Sequence, residues 1–156
     1  MRLRFVIVAA LSWLGIMSAD VQGEESHTRE IDTLIEKIKH APDGRTRSDL
    51  ALELERVVNR VGKSEQFDDR VIDDMASLLD DRAVRFWIAP ALGELGTRAR
   101  RAVPALKKAL EDEEVAEATM MLDEDEGVGA LTMNRGLSAA NAIRLALAKI
   151  DVPPDE

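Results

Sequence analysis

The sequence predicts an all-α protein, an α-α superhelix (solenoid) of about three helix pairs preceded by a signal peptide. Three observations predict it. The composition is helical, rich in Ala, Leu, Glu, Asp, Arg and Val, and only 3% aromatic with no Tyr. Apolar residues recur at spacings of three and four, and no segment sustains the two-residue alternation of a half-buried strand. The chain also matches itself when shifted. A 34-residue shift lays Leu50, Leu54, Val58, Val61 and Gly62 on Val84, Ile88, Leu92, Leu95 and Gly96. A 31-residue shift lays Ile72, Met75, Leu79 and Asp81 on Val103, Leu106, Leu110 and Asp112, and a 55-residue shift lays ALGEL (Ala91–Leu95) on ALAKI (Ala146–Ile150). Periods of this length mark arrays in which no single helix pair buries its own apolar face.

The elements follow in order. Arg2 and Arg4 precede an uncharged run of 13 residues, Phe5–Met17, and small residues follow. That order is a signal peptide over 1–23, with cleavage after Ala19 or Gly23; the run is short of the roughly 20 residues that span a bilayer as a helix. EESHTRE is then a polar lead-in. Ile31, Leu34, Ile35 and Ile38 make the first helix, broken at Pro42 and Gly44. Leu50, Leu54, Val57, Val58 and Val61 make the second, terminated by Gly62. Val71, Ile72, Met75, Leu78 and Leu79 make the third, with Asp68 or Asp69 as its cap. Val84, Ile88, Ala91, Leu92 and Leu95 make the fourth, closed at Gly96, which is free to take a left-handed cap. The fifth opens at Thr97 or a neighbour, with Pro104 in its first turn. The units run over about 30–62, 68–96 and 97–151 within a repeat domain of 24–151, the last carrying an insertion at 115–137, and 152–156 form a disordered tail.

At this point the residues carry a resemblance. VRFWIAPALGELG followed by TRARRAVPALKKALED resembles the HEAT repeat, in particular the short HEAT-like variety also found in phycobilisome lyases. That family's second helix reads roughly V-R-x-x-A-A-x-A-L-G-x-I-G, and Val84, Arg85, Ala89, Ala91, Leu92, Gly93, Leu95 and Gly96 fit it. Its next first helix opens A-V-P-A-L, matched by Ala102 to Leu106. The resemblance implies an ARM/HEAT-type solenoid that presents a face of second (B) helices to a protein partner. It also implies an ion pair between the Asp at the turn, Asp80 or Asp81, and the B-helix Arg85. The flanking units depart from the pattern, since Ala51 and Ala140 stand where the Arg belongs.

Function is less legible. The absence of Cys excludes disulfides, thiolate metal sites, a Cys nucleophile and a lipidated Cys. A net charge of −9 argues against nucleic acid or an anionic membrane as the main partner. His27 and His40 fall in the lead-in and a turn with no oriented nucleophile or acid beside them, so no catalytic residue, metal or cofactor is expected. LDEDEG (Leu122–Gly127) fails the EF-hand pattern, with Gly127 too early and Asn134 where a bidentate Glu is required. On the fourth helix Phe86 and Pro90 lie opposite the apolar face and Trp87 at its edge. Their repeat equivalents are Leu52 and Arg56 in the first unit, and Asn141 and Leu145 in the third. These aromatics either pack on a neighbouring repeat or anchor a partner, which makes Leu52, Arg56, Phe86, Trp87, Pro90 and Leu145 the candidate partner-binding set. In the insertion, Met120, Met121, Leu131 and Met133 are expected to fold back over the last pair as a cap, or to form a second contact site. The expected protein is an exported (periplasmic or secreted) monomer that is not an enzyme and binds a protein of unspecified identity. The alternative is a small-molecule-binding protein or enzyme with a pocket at the insertion.

Overall fold

The structure is a computed structural model that describes residues 21–62, 67–122 and 138–151, with side chains over 27–62, 67–119 and 138–151. Residues 1–20 of the expected signal peptide, the side chains of Met120 and Met121 and residues 123–137 of the expected cap with its acidic run, and the tail 152–156 lie outside that description. Six α-helices are present, and no strand occurs among the described residues: α1 (Val21–His40), α2 (Gly44–Val61), α3 (Asp69–Ser77), α4 (Arg85–Glu94), α5 (Val103–Leu122) and α6 (Ala139–Asp151). They pack as three pairs, α1 on α2, α3 on α4 and α5 on α6. The second members α2, α4 and α6 lie side by side as one layer with α4 in the middle. This arrangement is consistent with an α-α solenoid.

One continuous core runs through all three pairs. Ile31, Ile35 and Ile38 from α1, Leu54 and Val58 from α2, Met75 from α3, Ile88 and Leu92 from α4, Leu106 from α5, and Ile143 and Ile150 from α6 are all essentially inaccessible. These are the positions that the three-and-four spacing selects, because each helix turns one stripe inward.

Local chemistry sets the helix ends. Asp43, extended at φ −140°, caps α2 by accepting from the Thr46 amide and hydroxyl, both at 2.9 Å. Those two hydrogen bonds, the backbone one first, hold its carboxyl below the usual carboxylate range. Gly62 and Gly96, aligned by the 34-residue shift, do different work. Gly96 takes the left-handed cap expected of it, with φ +57°. Gly62 is right-handed at φ −60°, and a Cβ there would lie 2.5 Å from the Val58 carbonyl oxygen. It is glycine because of crowding.

Several expectations are corrected. The lead-in EESHTRE is helical, since α1 begins at Val21. His27 is consequently a half-buried helix residue, and His40 is the last residue of α1, its Nδ1 2.8 Å from the Glu36 carbonyl oxygen. Asp68 holds the cap position of α3 but its side chain makes no capping hydrogen bond. The third helix tightens to a 3-10 turn at Leu78–Asp80. The fifth opens with a 3-10 stretch, Gly96–Ala102, and becomes α-helical only at Val103. Pro104 fits this boundary: without an N–H it cannot donate to the Arg100 carbonyl, and it is tolerated because it stands in the first turn of the α-helical part. At its far end α5 runs on into the first part of the expected insertion, to Leu122.

The expected Asp81–Arg85 pair does not form. Arg85, 3% exposed, donates from Nε to the Leu79 carbonyl at 2.6 Å, where the preceding helix ends. Its other nitrogens reach forward to α5, Nη1 to Glu113 at 2.8 Å and Nη2 to Asp112 at 3.0 Å. Arg82 clasps the same Glu113 from the turn with two bonds of 3.0 and 3.1 Å. Asp81 instead faces backward to Arg47 of α2, at 2.5 Å. Arg47 repeats the Arg85 pattern, donating to the Ala41 carbonyl at the end of α1 at 3.3 Å. The joint between units is thus made twice by one rule: a B-helix arginine ties its own pair's turn to the aspartate of the next unit. Asp81 is engaged by Arg47 of the preceding unit, and two carboxylates of α5 lie within reach of Arg85, so the pair forms across the joint on both sides.

Two predictions follow from this packing. Leu92→Ala empties a fully enclosed site at the centre of the middle layer and should cost about 2–5 kcal/mol in chemical denaturation; a loss below about 0.5 kcal/mol would mean that the core face is misassigned. Glu113 supplies a pH signature. Burial pushes its carboxyl up, but the guanidinium groups of Arg82 and Arg85 together outweigh burial and hold it below the usual carboxylate range. A depressed carboxyl stabilises the fold above its unfolded value of about 4.3 and loses that contribution as pH falls through the lower folded value. Between pH 5 and 3 the native protein should therefore lose more stability than Glu113→Gln, and parallel stability curves would exclude this role.

Candidate functional site: a groove between the fourth and sixth helices

The helices α4 and α6 approach each other through small residues. A Cβ built on Gly93 would sit 3.0 Å from Ala146 Cα and 3.3 Å from Ala146 Cβ, so the two backbones nearly touch there. Toward their N-terminal ends larger side chains hold the helices apart, leaving a groove of about 290 Å³. Phe86 and Pro90 form one wall; Asn141, Ala142, Leu145, Ala146 and Lys149 form the other and the floor. Its surface is mainly apolar. Leu145 is 59% exposed at the rim, and only Val115 among the described large apolar residues is comparably bare.

Sequence alone places this wall. Phe86 and Pro90 are one helical turn apart, as are Asn141 and Leu145, so each pair projects from one stripe. The 55-residue shift that equates Phe86 with Asn141 and Pro90 with Leu145 is realised as two facing walls. Pro90 has no N–H, so the Phe86 carbonyl lacks its usual donor four residues on.

The structure divides the candidate set. Phe86, Pro90 and Leu145 line the groove. Trp87 turns the other way: its indole N–H donates to Ser48 Oγ on α2 at 3.1 Å and its ring packs on the core. Phe86 stands edge-on to it, with ring centroids 4.6 Å apart at 85°. Trp87 therefore clamps α4 to α2 and backs the groove without entering it. Leu52 is half-buried and Arg56 exposed, both on α2 and outside the groove. Lys149 was not anticipated; it lines the groove and pairs with Glu94 of α4. Gly93 and Ala146 were not anticipated either, although the small residues shared by ALGEL and ALAKI were a visible signal of close helix approach.

The groove offers little chemistry beyond shape. Its one ionisable lining residue is Lys149, which Glu94 engages, and no group of three or more potential metal ligands occurs among the described residues. The exposed ion pairs around it, Lys149 with Glu94 and Arg144 with Glu114 at 2.7 Å, are surface bridges of small energetic weight.

Comparison with known proteins bears on the same stretch. Residues 84–112, from Val84 through Arg85 to Asp112, match the family model described as PBS lyase HEAT-like repeat. No curated protein and no solved structure matches the chain. The match spans α4, the 3-10 stretch and the first half of α5, and it identifies residues 84–112 as a HEAT-like repeat.

Proposed function

We propose that the protein is an exported interaction module, a scaffold whose B-helix layer binds a protein partner through the α4–α6 groove. HEAT-like repeats generally mediate protein interactions, and one observation supports assigning that role to this groove. An apolar side chain with 59% exposure, Leu145, stands at the rim of a groove walled by Phe86 and Pro90 in the layer such arrays present. A lone exposed leucine would be ordinary; Leu145 counts because it is continuous with Phe86, Pro90, Ala142 and Ala146, and it is contiguous apolar surface that marks interaction sites.

The rest of the reading has its own supports. Export to the periplasm or medium rests on the N-terminal sequence pattern of basic residues, apolar run and small residues. After cleavage the module acts as a monomer free of membrane and nucleic acid; its net charge of −9 supports this, and no helix among the described residues is long and apolar enough to cross a membrane. We take the module to be non-catalytic and free of cofactor because the sequence sets no oriented nucleophile or acid beside His27 or His40.

Two measurements test the proposal. A photocrosslinking amino acid placed at Leu145 in the exported protein should yield a discrete protein adduct, and Phe86→Glu should abolish it. Equal crosslinking with and without that substitution would remove the groove from the function. Deleting residues 1–19 should leave the product in the cytoplasm with a strongly helical circular dichroism spectrum; normal export of that variant would refute the signal peptide.

A further inference from the structure

We infer that Ser48, on a helix that does not line the groove, is a positioning residue for it. Acting through Trp87, its hydroxyl sets the direction of the Phe86 ring and with it the fit of the groove to a partner. The inference rests on the binding role proposed above and assigns control of that site to the first unit. Every residue that lines the groove comes from α4 or α6, whereas Ser48 belongs to α2.

Phe86 is held chiefly from behind. It forms a wall of the groove, so one side of its ring faces the opening. Trp87 is among the half-buried apolar side chains that pack on the common core, and Phe86 is not. What the Phe86 ring does meet is Trp87, edge-on, with centroids 4.6 Å apart at 85°. Such a pair favours one relative orientation, because the positive rim of one ring meets the negative face of the other. The backbone adds little restraint, since Pro90 lacks the N–H that would tie the Phe86 carbonyl to the next turn.

Trp87 is held at its polar end from α2. An indole has a single donor, and this one is given to Ser48 Oγ at 3.1 Å. Removing the hydroxyl would leave a half-buried N–H unpaired, so the ring would turn toward another acceptor or water. Phe86, standing against that ring, would turn with it. Ser48 is itself fixed in place. Its chain neighbour Arg47 pairs with Asp81 in the turn before α4 and donates to the Ala41 carbonyl at the end of α1. The joint that seats the first unit on the second therefore ends, one residue on, in the hydroxyl that orients the groove wall.

The test uses the full exported chain, once with 4-fluorophenylalanine at Phe86 for fluorine NMR and once with a photocrosslinking amino acid at Leu145. Ser48→Ala should shift the fluorine resonance and lower the yield of protein adduct about fivefold, the worth of one hydrogen bond, with an unchanged circular dichroism spectrum. Ser48→Thr keeps the hydroxyl and should restore both. Val57→Ala thins the buried face of α2 without touching this contact, so it should lower the melting temperature and leave resonance and adduct as in the parent. A resonance indifferent to Ser48→Ala, an adduct yield that survives a shifted resonance, failure of Ser48→Thr to restore either, or the same changes from Val57→Ala each overturn the inference and leave the groove as the binding site. Absence of an adduct in the parent protein overturns the binding role and this inference together.

Discussion

The fold turns on a charge that has nowhere else to go. Arg85 lies at the start of α4 with almost no contact with water, and an unpaired guanidinium there would carry a desolvation cost of several kcal/mol. It is paired three ways, to the end of its own unit's first helix and to two carboxylates on the next. Because Glu113 is also clasped by Arg82, the turn between α3 and α4 is anchored to α5 as well. The position of the third unit on the second is fixed by this cluster, and with it the distance between α4 and α6 on which the groove depends. Hydrophobic burial makes the units adhere; the arginines determine in which register.

Much of this fold was legible. The buried stripes of α1 to α4 coincide with residues that recur at three and four, since helical geometry leaves little choice about which side chains face inward. Boundaries were less legible where two rules compete. The stretch Gly96–Ala102 has the composition of a helix, but Pro104 removes a donor that would carry an α-helical ladder through it, and the sequence does not state which influence wins. The ion pair was misplaced for a related reason. Spacing along a chain favours a partner within the same turn, whereas the actual partner lies across an interface that no local pattern contains. Even so, a trace was visible: Ala51 stands where the repeat wants arginine, and Arg47, one helical turn earlier, reaches the same place.

The candidate site was half legible. Facing away from the core was enough to single out Phe86, Pro90 and Leu145, and repeat arithmetic set them opposite one another. It was not enough to separate Phe86 from Trp87, which are neighbours in sequence but diverge by about 100° around the helix. One ring goes to the groove and the other to Ser48. Lys149 escaped attention because a lysine in a last helical turn has an ordinary explanation in the helix dipole, and only the packing of α6 on α4 turns it toward the groove.

The twofold use of the arginine joint bears on how such a chain acquires its length. Arg47 meets Asp81 and Arg85 meets Asp112, and the two aspartates are equivalent under the 31-residue shift. The middle unit therefore receives on Asp81 the kind of contact it offers from Arg85, although Glu113, clasped by Arg82 at the second joint, has no counterpart at the first. A second copy of that middle unit would arrive with both an acceptor and a donor for the joint already written. Copying errors in such an array are grammatical, which is how a short repeat becomes a long one, or a long one is trimmed to three.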